Sequence, residues 1–198
     1  MLFPPREDEA LLRSVTDDDF LSLVAPSLVP ATRPGTVVLL PFDNRSVRAA
    51  IHEAKYHGSS RAFSLLALAL TEYLRDSDVG FPKPNIAIVP VPLGRARRKE
   101  RGYNQVEEIA RLAAGALGLS VDTTLLVRTR ETTSQVSLPR HKREENMRGA
   151  FDAAHPADPG TTYLLLDDVL TTGATLQAAV SALKDAGATT IVPLALAH

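Results

Sequence analysis

The residues with the clearest chemical potential form one short run, in which two acidic residues precede a turn rich in hydroxyl groups. Three leucines lead into Asp167 and Asp168, and the turn that follows is Thr171, Thr172, Gly173, Ala174 and Thr175. Carboxylate oxygens can accept the hydroxyl hydrogens of a ribose diol, whereas hydroxyl groups and free N–H groups at a helix N-terminus can hold a phosphate. Gly173 permits a positive φ or a close backbone approach to a ligand. The run therefore predicts a site for a phosphorylated sugar.

Each part of this run also has a structural explanation that needs no ligand. The paired acids can cap the following helix, and Thr-Thr-Gly can form a simple turn. Two carboxylates beside a phosphate would repel it, so a bridging diol or a divalent cation would explain why they occur together. The order of strand, acids, hydroxyl-rich turn and helix favours the ligand site.

Positive charge is concentrated in two segments. Residues 94–101 contain five basic residues and one acidic residue, and residues 128–148 contain six basic and three acidic residues. These segments carry +4 and +3 in a chain whose net charge is −1, so the remainder carries −8. Such segments can focus an anion, although solvated loops often carry incidental charge. The small net charge argues against a protein that coats nucleic acid without specificity.

Alternating apolar and amphipathic segments must position these residues. We expect strands over residues 36–42, 86–91, 121–127, 163–166 and 191–197, and helices around residues 47–54, 60–75, 106–117 and 176–183. This alternation predicts an α/β fold with a mainly parallel sheet flanked by helices on both faces. Such sheets bind ligands at the carboxyl ends of their strands, here in the loops after Val91, Val127 and Asp168. Two of these loops contain the basic segments, which favours an anion site at that edge.

Several motifs together resemble the ComF family of type I phosphoribosyltransferase-like proteins. The acidic run resembles the signature that binds 5-phosphoribosyl 1-pyrophosphate (PRPP) in type I phosphoribosyltransferases. The wider resemblance covers about residues 47–198 and rests on residues 52–58, residues 88–93, Arg95, residues 101–105, Ser134 and Gln135 with Leu138, and residues 146–151. Many ComF proteins carry an N-terminal zinc module of four cysteines, but this sequence contains no cysteine.

The resemblance implies a role for each part of the predicted site. The acids and the turn would bind PRPP together with Pro92, Leu93 and Lys55, and Asp167 and Asp168 would hold Mg²⁺ directly or through water. Residues 128–148 would form a flexible loop that closes over the substrate. The residues expected to act in catalysis, by stabilising the departing diphosphate, are Arg95, Arg101 and Arg148.

The resemblance also divides the chain into two parts. Residues 41–198 would form the phosphoribosyltransferase-like domain, and residues 1–40 would form a small hood or cap of one or two short helices near the active site. We expect a homodimer, as in similar proteins, with Mg²⁺ and without zinc.

Two functions remain open at this point. The first is an enzyme that transfers phosphoribose between diphosphate and an unidentified small acceptor. The second is a ComF-type accessory or sensor protein without catalytic activity, which binds PRPP or single-stranded DNA during DNA uptake. Aromatic residues make up 5% of the chain and tryptophan is absent, so stacking surfaces for bases are few.

The sequence lacks the residues or motifs on which several other kinds of functional site depend. The lack of cysteine excludes disulfides and thiolate metal sites, and the sequence has no P-loop, dinucleotide-binding or nucleophile-elbow motif. His52 and His57 would lie about 140° apart around a helix, so we expect no shared metal, and structural or solvent roles for all five histidines. The apolar runs are too short to span a membrane, and we expect a cytoplasmic protein.

Overall fold

The protein's strands and helices are those of a computed structural model that describes residues 6–76, 85–130 and 147–198. The helices within these ranges are α1 (Glu7–Ser14), α2 (Asp17–Leu21), α3 (Arg45–Tyr56), α4 (Ser60–Asp76), α5 (Arg95–Arg101), α6 (Gln105–Leu117) and α7 (Ala174–Asp185). The strands are β1 (Ser27–Val29), β2 (Thr36–Leu40), β3 (Ile86–Pro90), β4 (Ser120–Val121), β5 (Leu126–Arg128), β6 (Phe151–Ala153), β7 (Thr162–Val169) and β8 (Thr190–Ala197). None of the helices in these ranges combines the length and apolar character that a membrane crossing requires.

The main sheet has six strands in the order β1-β2-β8-β7-β3-β4. Only β1 is antiparallel to its neighbour, and β2, β8, β7, β3 and β4 are parallel. The connection from β3 runs outward to β4, whereas the connection from β7 runs outward in the other direction to β8. The strand order therefore reverses between β3 and β7. The predicted mainly parallel α/β sheet is confirmed.

Helices cover both faces of the sheet because residues alternate in direction along each strand. Ile88, Leu164 and Leu166 belong to one core with α1, α2, α3, α4 and α6. Val89 and Leu165 belong to the other, with α7 and the antiparallel β5–β6 ribbon. The continuous apolar sequence of β7 thus reflects burial on both faces, as is typical of a parallel sheet.

Capping residues account for the ends of the helices that carry site residues. The side chain of Asn44 accepts hydrogen bonds from two backbone N–H groups of α3, at 2.8 and 3.4 Å, and Asn104 caps α6 by accepting one from Val106 at 3.2 Å. Gly118 ends α6 in the left-handed region at φ 67°. These ends agree with the predicted helices to within a few residues.

The N-terminal segment packs against the helices of the domain. Leu12 of α1 and Phe20 of α2 are buried in the same core as α3 and α4. Arg6 also reaches α3, where its guanidinium donates two hydrogen bonds to the fully buried carboxylate of Glu53. Further along, residues 30–33 lie over the start of α7. The division at residue 40 stays a prediction.

Two local expectations were wrong. Residues 121–127 do not form one strand, because the carboxylate of Asp122 accepts hydrogen bonds from the N–H groups of Thr124 and Leu125 and turns the chain between β4 and β5. The basic segment after β3 is a seven-residue helix, α5, rather than a loop. Its cations had been interpreted as charge alone, although arginine and lysine also favour helices.

Candidate functional site

The candidate site lies at the carboxyl ends of β3 and β7, which are adjacent parallel strands. Pro90, the last residue of β3, is in register with Leu166, and the N–H of Val91 donates to the carbonyl of Leu166 at 2.9 Å; beyond this point β7 continues beside β8 to Val169. This is also where the strand order reverses, the position at which open α/β sheets bind ligands. Asp167 and Asp168, among the last residues of β7, therefore share one edge with the segment after β3 that contains Pro92 and Leu93.

Asp168 is the centre of a set of polar contacts at this edge. Its side chain is largely buried, and its Oδ1 lies 3.0 Å from the ammonium of Lys55. Its Oδ2 accepts a hydrogen bond from the amide of Gln105, which is itself buried. Lys55 lies in the last turn of α3 and Gln105 begins α6, so three separate elements meet at one carboxylate.

Gln105 also connects Asp168 to a cation of α5. The carbonyl oxygen of the Gln105 amide accepts a hydrogen bond from Arg101 at 2.9 Å, while its nitrogen faces Asp168. The guanidinium carbon of Arg101 lies 5.0 Å from the centre of the Tyr56 ring, which suits a cation–π contact. Lys55, Asp168, Gln105, Arg101 and Tyr56 therefore form a continuous chain of contacts across the site.

The residues between Arg101 and Gln105 hold this chain in place. The amide of Asn104 donates to the carbonyl of Val91 at 3.0 Å and so fixes the segment that begins with Pro92. The hydroxyl of Tyr103 donates to the carbonyl of Ala54 at 2.9 Å, and its ring contacts Gly58, which lies at φ 59°. Residues 101–105 thus bind the end of α3, the end of β3 and Asp168 together.

Asp167 has a different environment from its neighbour. Burial and the adjacent charge of Asp168 raise the pKa of Asp167 to about 7, against the opposing effects of a hydrogen bond from the N–H of Asp168 and the charges of Lys55 and Arg128. Its Oδ1 accepts that backbone hydrogen bond at 2.9 Å. Near neutral pH, this side chain can therefore hold or release a proton.

In the turn after β7, Gly173 has both the positive φ and the close backbone neighbour that the sequence allowed for. This glycine lies at φ 79°, and a Cβ atom added to it would meet the carbonyl oxygen of Ala31 at 2.6 Å. Segment 30–33 therefore presses directly on the turn. Thr171 is exposed, Thr172 and Thr175 are partly exposed, and a small depression lies between Asp167 and the turn.

A larger groove of about 710 Å³ lies on the other side of the same turn. Its walls are formed by residues 30–33, the first strand residues of β6 and one face of α7. Arg148 and Thr172 both line it. The predicted catalytic Arg148 therefore shares this groove with the turn, rather than contacting Asp168.

The structure brings together some of the predicted site residues and leaves others apart. Lys55, Arg101 and Asp168 belong to one chain of contacts, and Asp167 adjoins it. Pro92 and Leu93 directly follow Val91, whose carbonyl accepts the hydrogen bond from Asn104. Arg95 is exposed at the start of α5. Most of the predicted closing loop, residues 131–146, lies outside the described residues.

Two functional candidates had no role in the sequence-based prediction. Gln105 lies in residues 101–105, which resemble a ComF segment, but only the structure shows that its amide joins Arg101 to Asp168. Arg128, at the end of β5, was counted only as charge, although it is close enough to Asp167 to lower the pKa of that carboxyl. The sequence does offer one signal for Gln105, because this glutamine directly follows Asn104, the residue that caps α6.

The expectation that His52 and His57 lie on separate faces was wrong. Helix α3 ends at Tyr56, and His57 lies outside helical geometry at φ −127° and ψ −4°. Its ring turns back, so the centres of the two imidazoles are 5.6 Å apart. The helical angle of about 140° does not apply to a residue beyond the helix.

Comparison with known proteins gives named relatives. The DNA utilization protein YhgH of Salmonella typhi is 34% identical over 143 residues, which are 71% of this chain and 62% of that protein. Competence protein F of Haemophilus influenzae is 32% identical over 125 residues, which are 62% of this chain and 53% of that protein. The chain thus spans about three fifths of the length of the first relative and about half of the length of the second. The resemblance to ComF proteins is confirmed.

No family model matches the chain. Among solved structures, the adenine phosphoribosyltransferase of Leishmania tarentolae aligns with a TM-score of 0.44 and 14% identity, over 86% of this chain and 79% of that one.

Proposed function

We propose that this chain, a homologue of the ComF and YhgH proteins, binds PRPP at the adjoining ends of β3 and β7 and transfers its phosphoribosyl group to a small acceptor. The observation that carries this proposal is the convergence of Lys55, Gln105 and, through Gln105, Arg101 on Asp168, directly before a hydroxyl-rich turn. An ordinary helix cap would need none of these partners. An anionic sugar ligand would use both the cations and the carboxylates.

Each part of PRPP has a suitable partner in this arrangement. The 5′-phosphate would take the hydroxyl and N–H groups of residues 171–175, at the start of α7. The ribose hydroxyls would donate to Asp167 and Asp168. The diphosphate would lie beside Pro92 and Leu93, within reach of the cations that begin with Arg95. Lys55 would turn from Asp168 toward the diphosphate when the ligand arrives.

The donor set also fits Mg²⁺, which binds oxygen ligands and keeps several waters. Both oxygens of Asp168 already have partners, whereas Asp167 uses its Oδ1 for a backbone N–H and retains its Oδ2. Asp167 is therefore the better candidate to hold Mg²⁺, through water. The ion, when bound, would neutralise part of the diphosphate charge.

The proposed reaction is a displacement at C1 of the ribose. The bond from C1 to the diphosphate oxygen breaks, and its electron pair leaves with the diphosphate. A lone pair of the acceptor forms the new bond to C1, and the proton of the acceptor passes to the departing diphosphate or to water. Charge grows on the diphosphate during this step, so Arg95, Arg101 and Arg148 would stabilise the transition state more than the bound substrate.

Binding of single-stranded DNA is the second candidate function. Tyr56 is 58% exposed and packs against Arg101, which gives one stacking surface beside the cations of α5. The relatives' names refer to DNA utilization and competence. A base stacked on Tyr56 and a phosphate near α5 would use the same edge of the sheet.

Titration calorimetry with PRPP and Mg²⁺ tests the first proposal, with Asp168→Asn as the variant. We expect one PRPP site in the original protein and at least a tenfold loss of affinity in the variant, because Lys55 and Gln105 lose their ionised partner. Asp18→Asn, an exposed acid on α2, is the matched control and should bind normally. Absence of PRPP binding by the original protein would overturn the proposal.

Binding of a single-stranded oligonucleotide at several salt concentrations tests the second. DNA binding would weaken steeply with salt, would persist or strengthen in Asp168→Asn, and would weaken in Tyr56→Ala. A protein that binds PRPP and shows none of these effects supports the first function alone.

A further inference from the structure

A second cluster of chemically active side chains lies at the end of α3, apart from the proposed PRPP site. It consists of His52, Glu53 and His57, and one ligand atom from each lies within 4.8 Å of the others. The imidazole rings are 5.6 Å apart and inclined at 72°. Nε2 of His57 lies 3.9 Å from Oε1 of Glu53. Two imidazoles and a carboxylate are a donor set that suits zinc and similar divalent metals.

Glu53 provides a fixed and ionised oxygen donor. Its side chain is fully buried, and Arg6 holds both carboxylate oxygens, Oε1 at 3.0 Å and Oε2 at 2.7 Å. These two hydrogen bonds from one guanidinium hold the carboxylate in a single orientation. Each oxygen has a second acceptor position, and ligating carboxylates in proteins are commonly held by such outer hydrogen bonds.

His52 has an outer partner of the same kind. Its Nδ1 lies 3.0 Å from Oδ2 of Asp8, on α1. A carboxylate on Nδ1 fixes the ring and its tautomer, and leaves Nε2 as the basic nitrogen. Histidines that bind zinc usually have such a partner on the other ring nitrogen. The cluster therefore has three donors and an outer group for two of them.

We propose that His52, Glu53 and His57 bind a divalent transition metal of the zinc class, with water in the fourth position. Ligand atoms around tetrahedral zinc are about 3.3 Å apart, since each lies about 2.0–2.1 Å from the ion. The 4.8 Å spacing would close to this value by rotation of the partly exposed side chain of His57 toward Glu53 and toward His52, which Asp8 holds in place. This proposal departs from the expectation, drawn from the sequence, of a protein without zinc.

The bound ion would join α3 to the residue that follows it. His52 and Glu53 belong to the helix, whereas His57 lies beyond its end, so one ion would fix the last turn. Lys55 and Tyr56, which contact Asp168 and Arg101, lie in that same turn. The metal would therefore stabilise the segment from which these two side chains extend, without itself contacting the PRPP site.

Titration calorimetry on the full chain, produced without a histidine tag and stripped with a chelator, tests this proposal. Zinc chloride is added at pH 7.5 in the presence of excess Mg²⁺. We expect one zinc ion per chain with a dissociation constant of about 10 µM or tighter, and a thermal unfolding midpoint raised by several degrees. Cobalt(II) should give the intense visible absorption of a four-coordinate site.

His52→Ala and His57→Ala should each weaken zinc binding at least tenfold. His155→Ala is the matched control, because His155 is also exposed and also lies near an acid, Asp122, at 3.9 Å. Both tested side chains are partly exposed, so the variants should fold, and unfolding curves recorded with chelator check this. Zinc binding that survives both substitutions, or a weak octahedral cobalt spectrum, would overturn the proposal. The histidines would then lie beside Glu53 without binding a metal.

Discussion

Asp168 has three structural neighbours whose chemistry depends on its charge. Lys55 and Gln105 contact it directly, and Arg101 reaches it through the Gln105 amide. A carboxylate with this many donors is fixed in place before any ligand arrives. Preorganisation of this kind means that a ligand loses less free energy in ordering the site.

Replacement of Gln105 by leucine should damage both binding and stability. The change keeps the size of the side chain but leaves Arg101 and Oδ2 of Asp168 without their shared partner. We expect a destabilisation of about 1–3 kcal/mol and a PRPP affinity lower by about tenfold. Gln177→Leu, on α7, is the comparison variant, because among the described residues the oxygen of its amide accepts one hydrogen bond, from the N–H of Arg33, and does not contact Asp168. Equal effects of the two substitutions in calorimetry and thermal unfolding would contradict the role of Gln105.

The pKa of Asp167 predicts a pH dependence of binding. With a folded-state pKa of about 7, Asp167 is protonated at pH 6 and ionised at pH 8. An ionised carboxylate is needed to hold Mg²⁺, so the affinity for PRPP with Mg²⁺ should rise across this range. Calorimetry at both values checks this, and Asp167→Asn should show weak, flat binding instead.

The same group predicts how stability changes with pH. A carboxyl whose pKa rises on folding, from 3.8 to about 7, favours the folded state at low pH and loses this contribution as the pH rises through that window. Asp167→Asn removes this loss and should stabilise the protein at pH 8 by up to about 4 kcal/mol, with little effect on stability below pH 4. Thermal unfolding at the two pH values measures the difference.

At the scale of elements, the sequence predicted best where burial alone decides the structure. The apolar runs of β3, β7 and β8 and the periodic faces of α3, α4 and α6 were all foreseen from hydrophobic pattern. The acidic run at the end of β7 was also identified in advance. These features depend on neighbours in the sequence and on a simple division between core and solvent.

The remaining features depend on contacts between distant residues. The turn at Asp122 forms because its carboxylate accepts hydrogen bonds from the N–H groups of Thr124 and Leu125, and these bonds outweigh the strand pattern around it. The contact between Gln105 and Asp168 joins residues 63 positions apart. The approach of His57 to His52 follows from where α3 ends. Patterns over a few neighbouring residues cannot predict contacts between residues that are far apart in the sequence.

The turn before α7 makes a sharp prediction about Gly173. Alanine there would meet the carbonyl oxygen of Ala31 at 2.6 Å and would also be strained at φ 79°. We expect Gly173→Ala to lower the unfolding midpoint by several degrees and to abolish phosphate binding at residues 171–175. Gly115→Ala, within α6 where nothing lies within 4 Å, is the control and should be neutral or slightly stabilising.

At the scale of the whole molecule, the contact between Arg6 and Glu53 ties the N-terminal segment to the domain. Arg6→Ala would leave a fully buried carboxylate without its cation, so the unfolding midpoint should fall by several degrees. Arg13→Ala, which removes only the exposed pair with Glu9, should have little effect.

The pH dependence of this pair has the opposite sign to that of Asp167. Arg6 lowers the pKa of Glu53 below its ordinary value of 4.5, so the pair stabilises the protein above that pH and loses its effect as Glu53 becomes protonated. The difference between Arg6→Ala and the original protein should therefore narrow in acid. A difference that is constant from pH 7 to pH 3 would contradict this account.

Strand β8 follows every other strand of the main sheet in the chain, yet it lies between β2 and β7. While the chain is being synthesised, β2 and β7 therefore have no partner between them until residues 190–197 leave the ribosome. A nascent chain would therefore present one open edge of β2 from early in synthesis, and a second, of β7, once residues 162–169 have been made. Such edges invite aggregation, so production of the protein should depend on chaperones more than its size suggests.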